Sequence, residues 1–345
     1  MLIGMDFGGT KKVDGVIVAS ATQPILKSRR YKTKNMTSNA ELLEATCQSL
    51  REFGAAPDNC VIGISAAGAI DRDKLCILHS PNTKIPPPID FAAQLQRKGY
   101  RVTLGNDLAM AACGIGKLDG HGNAVVITFS SGMNTGVMVN GHILETETGH
   151  TEYPYATDWR WKTPPVCNCP GHPTKKCVES FASGNAAGRM FRAAFLDGQV
   201  KPDHVVFQFL IKKMNDEQMD GGPFTADDLL NPNRRDMILD QLASESVYNG
   251  YVQKPDEVTE RIRSIQERAI AHALKDAVLH YGRQKITLIG GMTHWWDLLF
   301  VPAIERAHRE GSNILPMPPV VKCPYPDPCL VGAALYAQDK FNVSR

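Results

Sequence analysis

Three apolar runs in this chain of 345 residues stop in a pair of small residues. Leu2–Phe7 leads into Gly8-Gly9, Ala124–Phe129 into Ser130-Ser131-Gly132, and Lys285–Ile289 into Gly290-Gly291. Short apolar runs of this kind read as buried strands. A strand that ends in small residues turns tightly and lets backbone N–H groups come close to an anion. A plain β-turn is the alternative for Gly8-Gly9 taken alone. Helical periodicity falls between the strands: Leu42, Leu43, Thr46, Leu50 and Phe53 within Asn39–Phe53, and Val258, Ile262, Ile265, Ala269, Ala273 and Ala277 within Pro255–His280. Alternating strands and helices predict an α/β fold.

Length allows two domains. Apolar residues make up 43% and charged residues 21%, which fits a globular protein with a sizeable core. The net charge of +2 offers no electrostatic footprint for nucleic acid or for an anionic membrane surface. No apolar run approaches the ~18 residues that a membrane helix needs. Met1–Asp6 carries no basic leader. Of the nine cysteines, Cys47, Cys60, Cys76, Cys113, Cys323 and Cys329 are scattered without a framework. Scattered thiols of odd total number predict a reducing cytoplasm. Neither a nucleic-acid nor a membrane partner is expected.

The densest polar stretch is 146–179. It holds Glu147-Thr148-Gly149-His150, then Cys167-Asn168-Cys169, then Cys177-Val178-Glu179. Thiolate and imidazole are the ligands of a closed tetrahedral zinc site, and three cysteines with one histidine complete it. The histidine is His150, or His172 inside the loop itself. Glu147 and Glu179 flank the set and would be held rigidly beside the metal, facing a polar pocket. Two further carboxylates stand at strand ends. Asp6 precedes the first glycine pair, where it can hold a magnesium-bound water, and Thr10 and Lys11 add a hydroxyl and a charge. Asp107, in Gly105-Asn106-Asp107, precedes the helix-forming run Leu108–Ala112. There it is either a helix N-cap or a general base over a cleft. Backbone cradles, a base and a polar pocket suit phosphoryl transfer, in which the protein mainly positions groups and neutralises charge. No Gly-x-x-x-x-Gly-Lys-Ser/Thr loop and no protein-kinase catalytic loop are present. Residues 196–254 read as short helices joined by exposed loops, without a functional assignment.

Taken together, Asp6-Phe7-Gly8-Gly9-Thr10-Lys11, Gly105-Asn106-Asp107, Glu147-Thr148-Gly149-His150, Cys167-x-Cys169, Cys177-Val178-Glu179, Gly290-Gly291 and Gly332-Ala333-Ala334 resemble the ROK family (repressor, open reading frame, kinase) from end to end. That family lies within the actin-like ATPase superfamily. The resemblance implies two ribonuclease-H-like domains around a central cleft, 1–116 plus 330–345 and 117–329, with the last helix returning to the N-terminal domain. It implies an ATP-dependent sugar kinase using Mg²⁺, with a hexose or N-acetylhexosamine as acceptor, typically at C6. Asp107 would be the base. Gly68, Asn82, Asn106, Glu147, His150 and Glu179 would form the sugar site. Asp6, Gly8, Gly9, Thr10 and Lys11 would line the first phosphate loop, Ser131, Gly132 and Gly136 the second, and Gly290 and Gly291 the nucleotide site. His150, Cys167, Cys169 and Cys177 would bind structural zinc, and a homodimer is suggested. Asn134 and Thr135 stand where that second loop commonly has glycine. The rival reading is a sugar-binding regulator or a degenerate kinase of the same fold. Regulators carry a DNA-binding helix-turn-helix before the phosphate motif, for which Asp6 leaves no room, so an enzyme is expected.

Overall fold

The computed structural model describes residues 1–8, 11–17, 23–33, 35–80, 83–155, 176–282, 284–311 and 315–341. In chain order the elements are β1 (Leu2–Phe7), β2 (Lys11–Ile17), β3 (Ile25–Lys32), α1 (Asn39–Phe53), β4 (Val61–Ala66), β5 (Ala69–Asp71), β6 (Cys76–His79), α2 (Phe91–Arg97), β7 (Arg101–Asn106) and α3 (Asp107–Leu118). Then come β8 (Ala124–Phe129), β9 (Met133–Val139), β10 (His142–Glu145), α4 (Glu179–Ala182), α5 (Gly184–Leu196), α6 (Val205–Asp216), α7 (Pro232–Leu239) and α8 (Ser244–Gln253). The chain closes with α9 (Glu257–Tyr281), β11 (Ile286–Ile289), α10 (Val301–Glu310), β12 (Val320–Lys322) and α11 (Pro328–Lys340).

Two five-stranded sheets result, ordered β3-β2-β1-β4-β7 and β10-β9-β8-β11-β12. Each therefore runs third, second, first, fourth, fifth in its own chain order. That is one strand plan used twice, although no internal repeat is visible in the sequence. The expected mixed α/β architecture is the observed one. Contacts divide the chain into one unit of 1–126, 136–146 and 323–345 and another of 127–135 and 147–322, the division passing through β8 and β9.

In the first unit β1 pairs antiparallel with β2 and parallel with β4, and β4 is parallel to β7. All six residues of β4 are buried, as expected of a central strand covered on both faces. α11 covers one face from the far end of the chain. A Cβ on Gly63 would come within 1.8 Å of the Ala333 carbonyl oxygen, so only glycine admits the helix at this distance. Gly332 meets the Met110 carbonyl of α3 in the same way, at 1.7 Å.

One buried pair was not anticipated from the sequence. Lys12 and Asp14, two apart on β2, project to the same side of the sheet and form a wholly buried ion pair. Tyr31, opposite Lys12 across β3, donates its hydroxyl to Asp14 at 3.0 Å. Burial alone would lower the Lys12 pKa; the Asp14 charge and hydrogen bond override it and raise it.

In the second unit α9 is capped by Asp256, whose carboxylate accepts from Val258 and Thr259 N–H at 2.8 and 2.9 Å. Its buried Gln266 reaches back to the end of α4 and the residue that follows it. The side-chain amide donates to the Phe181 and Ser183 carbonyls at 3.1 and 2.7 Å, and its oxygen accepts from the Tyr248 hydroxyl of α8.

Candidate functional site

In the first unit the candidate groups gather at the carboxyl edge of the parallel strands. Asp6 is level with Ser65, and Ser65 with Gly105. Ser65 Oγ donates to Asp6 Oδ1 at 2.8 Å. One residue beyond that level, Asn106 ends β7 and caps α3, its side-chain oxygen accepting from Leu108 N–H at 3.0 Å. The capping role left open for Asp107 therefore belongs to Asn106. Asp107 is instead the first residue of the helix, and its Oδ1 accepts from Leu108 N–H at 2.9 Å. A helix N-terminus favours the ionised carboxylate, the state a general base requires. Near both carboxylates lies Cys329, in the first turn of α11. Burial, and then the charges of Asp6, Asp107 and Asp327, push its thiol well above the usual value. No spacing in the sequence marked this residue.

Gly68 follows β4 at φ +110°, with the His79 carbonyl where a Cβ would stand. Gly8 is half-buried at the end of β1. The backbone of Lys11 opens β2. Gly9, Thr10 and Asn82, along with the Lys11 side chain, lie outside the described residues. Gly136 sits inside β9 rather than in a turn, and a Cβ there would come 2.0 Å from the Leu108 carbonyl oxygen. The second small-residue turn is thus confined to Ser130–Gly132. Strand pairing starts as early as Met133, helped by β-branched Thr135.

In the second unit the other two small-residue strand ends line one cavity of about 470 Å³, with Ser130 and Ser131 on one side and Gly291 on the other. Gly290, at φ +98°, provides the turn into it. Asn185 of α5, Ser244, Glu245 and Asn249 of α8, and Met292, His294 and Trp295 complete the wall. Trp295 packs against Tyr248 at 5.7 Å between ring centroids. A flat aromatic beside polar amides inside a cavity of this size suits a nucleobase. The assignment-free stretch 196–254 therefore contributes α8 to a wall of the cavity.

The glutamate pair lies in the same unit. Glu147 precedes a 3-10 turn, Thr148–His150, closed by His150 N–H donating to the Glu147 carbonyl at 3.1 Å. Glu179 opens α4, and its Oε2 accepts from Met133 N–H at 3.0 Å. Two antiparallel segments bring the metal-ligand candidates together. Val178 N–H donates to the Thr151 carbonyl at 3.0 Å, and Tyr153 N–H to the Lys176 carbonyl at 2.9 Å. This pairing seats His150 against Cys177. The hydrogen bond to that buried thiol raises the His150 pKa, burial opposes it, and the Glu179 and Glu147 charges add to the rise. Cys167, Cys169 and His172 lie outside the described residues. Among the described residues no group of three or more His, Cys, Asp or Glu is placed to hold a metal.

Comparison with known proteins supplies a family. A model of the ROK family matches residues 2–339. A glucokinase of Streptomyces coelicolor is 27% identical over 199 residues, covering 55% of this chain and 58% of the relative. An N-acetylmannosamine kinase of Vibrio cholerae is 24% identical over 204 residues, covering 56% and 66% respectively. Each match thus spans less than two thirds of the relative's length. The crystal structure of a ROK family glucokinase from Streptomyces griseus, in complex with glucose and AMPPNP, has the same fold, with a TM-score of 0.67 at 22% identity over 98% of this chain and 99% of that one. A family match that runs from the first strand into the last helix, over two sheets of the family's fold, means that this chain belongs to the ROK family.

Proposed function

We propose that the protein transfers the γ-phosphoryl group of ATP to a hydroxyl of a hexose or N-acetylhexosamine, C6 being the expected acceptor. The observation that carries this reading is the carboxyl edge of the first sheet, where Asp6 accepts from Ser65 and Asp107 opens α3 directly after the capping Asn106. Ligands of α/β sheets bind beyond the carboxyl ends of the strands. The names of the relatives add support, since a glucokinase and an N-acetylmannosamine kinase are both sugar phosphotransferases.

In this mechanism Glu147, Glu179 and His150 hydrogen-bond the sugar hydroxyls, with Gly68, Asn82 and Asn106 completing the sugar set. Asp107 accepts the proton of the attacking hydroxyl as its oxygen bonds to the γ-phosphorus. ADP leaves with the electron pair of the broken P–O bond. The strand-end turns at Gly8–Lys11 and Ser131–Gly132 offer N–H donors to the phosphates, and the cavity between Ser131 and Gly291 takes the nucleoside. Asp6 is the residue to hold a magnesium-bound water. When bound, Mg²⁺ neutralises phosphate charge. His150 and Cys177 fit a structural zinc, a buried thiol against an imidazole being half of a closed Cys₃His set, and Cys167 and Cys169 would supply the rest. Zinc there would stiffen the turn that carries Glu147.

Among the described residues no helix is long and apolar enough to cross a membrane. The described cysteines are free thiols, as a cytoplasmic location would have them. A homodimer is proposed on family resemblance.

The test is ADP release measured over a panel of glucose, mannose, fructose, allose and N-acetylated amino sugars. Turnover with at least one of them is expected. Silence with every sugar and every nucleoside triphosphate, on zinc-loaded protein, ends the kinase reading in favour of a sugar-binding regulator. Metal analysis should give one zinc per chain, lost on His150→Ala; full retention in that variant points to His172 as the ligand.

A further inference from the structure

The segment that follows β8 reaches two residues of the proposed sugar site, and Thr148 beside one of them. Met133 N–H donates to Glu179 Oε2 at 3.0 Å. Asn134 Nδ2 donates to Glu147 Oε2 at 3.1 Å. Thr135 Oγ1 and Thr148 Oγ1 are 2.6 Å apart. The Asn134 amide is held the right way round by its own backbone: Oδ1 accepts from Thr135 N–H at 2.8 Å, which leaves the NH₂ end for the carboxylate. Thr135 is 2% exposed, so its hydroxyl has exchanged water for the Thr148 hydroxyl. Space is as tight as the bonding. A Cβ on Gly132 would stand 2.7 Å from Glu179 Oε2, and one on Gly149 would stand 1.9 Å from the Met133 carbonyl oxygen.

A loop dedicated to phosphate would turn its N–H groups and small residues toward the nucleotide. Here the Met133 N–H and the Asn134 side chain bond the glutamates, and the Thr135 hydroxyl meets that of Thr148. Glycine, the residue commonly found in this loop, has neither an amide nor a hydroxyl to offer.

We infer that Asn134 and Thr135 are positioning residues for the sugar: they hold Glu147 and Thr148 in the conformation that receives the sugar hydroxyls, and take no part in binding the phosphoryl donor. This rests on the sugar-site reading above. Asn134 acts through Glu147, fixing one carboxylate oxygen with a charge-assisted hydrogen bond, so that less side-chain freedom is lost when the sugar binds. Thr135 acts through Thr148, the backbone neighbour of Glu147.

The experiment uses the full chain, loaded with zinc, with calorimetric titration of glucose, mannose, N-acetylglucosamine and N-acetylmannosamine in the absence of nucleotide, and of AMPPNP in parallel. Asn134→Ala should weaken binding of the preferred sugar about 10-fold, the scale of one lost hydrogen bond to a charged group. AMPPNP affinity should stay within about twofold of the wild type. Asn134→Asp, which sets like charges together, should weaken sugar binding further, and the loss should shrink as pH falls. Thr135→Val should cost less than Asn134→Ala, and Thr135→Ser should restore the wild-type value. With a turnover assay, KM for the sugar rises while kcat at saturation holds. Unchanged sugar affinity in Asn134→Ala, or weakened AMPPNP binding in its place, overturns the inference. A wild-type protein that binds a sugar without phosphorylating it ends the kinase reading and leaves Asn134 fully tested. A wild-type protein that binds none of these four, nor fructose or allose, overturns both.

Discussion

The two sheets share a strand order, but their surroundings are built differently. The first is stiff through close approach: α11 lies on β4 at a distance only Gly63 allows, and one ion pair, Lys12–Asp14, is sealed inside. Between its strands run short connections and single helices. The second carries a helical elaboration, α4 to α9, between β10 and β11, and its key ties are polar. Gln266 joins the end of α4 and Ser183 to α8, through the Phe181 and Ser183 carbonyls and the Tyr248 hydroxyl. One strand plan thus serves two purposes. The sheet with the tight apolar cover presents the carboxylates proposed for chemistry, and the elaborated one presents the hydrogen-bonding groups proposed for recognition. Chemistry needs fixed charges, and recognition needs many donors and acceptors from separate elements.

This contrast can be broken at several points, beginning with the largest effect. Asp107→Asn should lower kcat by about 10²–10⁴-fold, the range for loss of a general base, and leave sugar affinity within about twofold. An unchanged rate would locate the base elsewhere and dissolve the division of labour. Asp14→Ala should destabilise the protein by about 3–5 kcal/mol in denaturant unfolding, because Lys12 would be left charged and unpaired in the interior. Changing both residues to apolar ones, Lys12→Met with Asp14→Leu, should recover most of that loss. The pH dependence has a definite sign. The folded pKa of Lys12 lies above its ordinary 10.5, so its contribution is complete below that value and is lost as pH rises through the folded pKa. Alkaline unfolding should therefore come earlier in wild type than in the apolar double variant; coincident curves would refute the ion pair's role. The smallest effect belongs to Gln266→Ala, at about 2–3 kcal/mol, since it strands buried carbonyls and a buried hydroxyl. Through Tyr248, which packs on Trp295 of the cavity wall, it should also raise KM for the nucleotide; an effect on stability alone would confine Gln266 to packing.

Much of this arrangement was legible in the sequence wherever a local rule decides structure. Small residues at strand ends marked the turns, and Ser131 and Gly291 do frame one cavity. The 3.6-residue period marked α9, and Glu147 and Glu179 stood out as carboxylates around a cysteine cluster. What escaped notice depends on pairings distant in sequence. The duplicated strand order is fixed by hydrogen-bond register, which different sequences can satisfy equally well. Trp295 and Asn249 look like ordinary core and surface residues until α8 and the turn after β11 lie in one wall. Gln266 sits on the buried face of α9, where a polar residue breaks the apolar pattern; that anomaly was the available signal, and its two backbone partners lie over 80 positions away. Asn134 and Thr135 were visible only as departures from glycine, with nothing to say what their side chains would reach.

Cys329 lends the first sheet one further property. A thiol must ionise before peroxide or an alkylating reagent attacks it, and here burial and three carboxylates suppress that ionisation. The same negative groups that would ready a hydroxyl for phosphoryl transfer thereby passivate the sulfur next to them. Oxidative damage should therefore reach the edge of this sheet late.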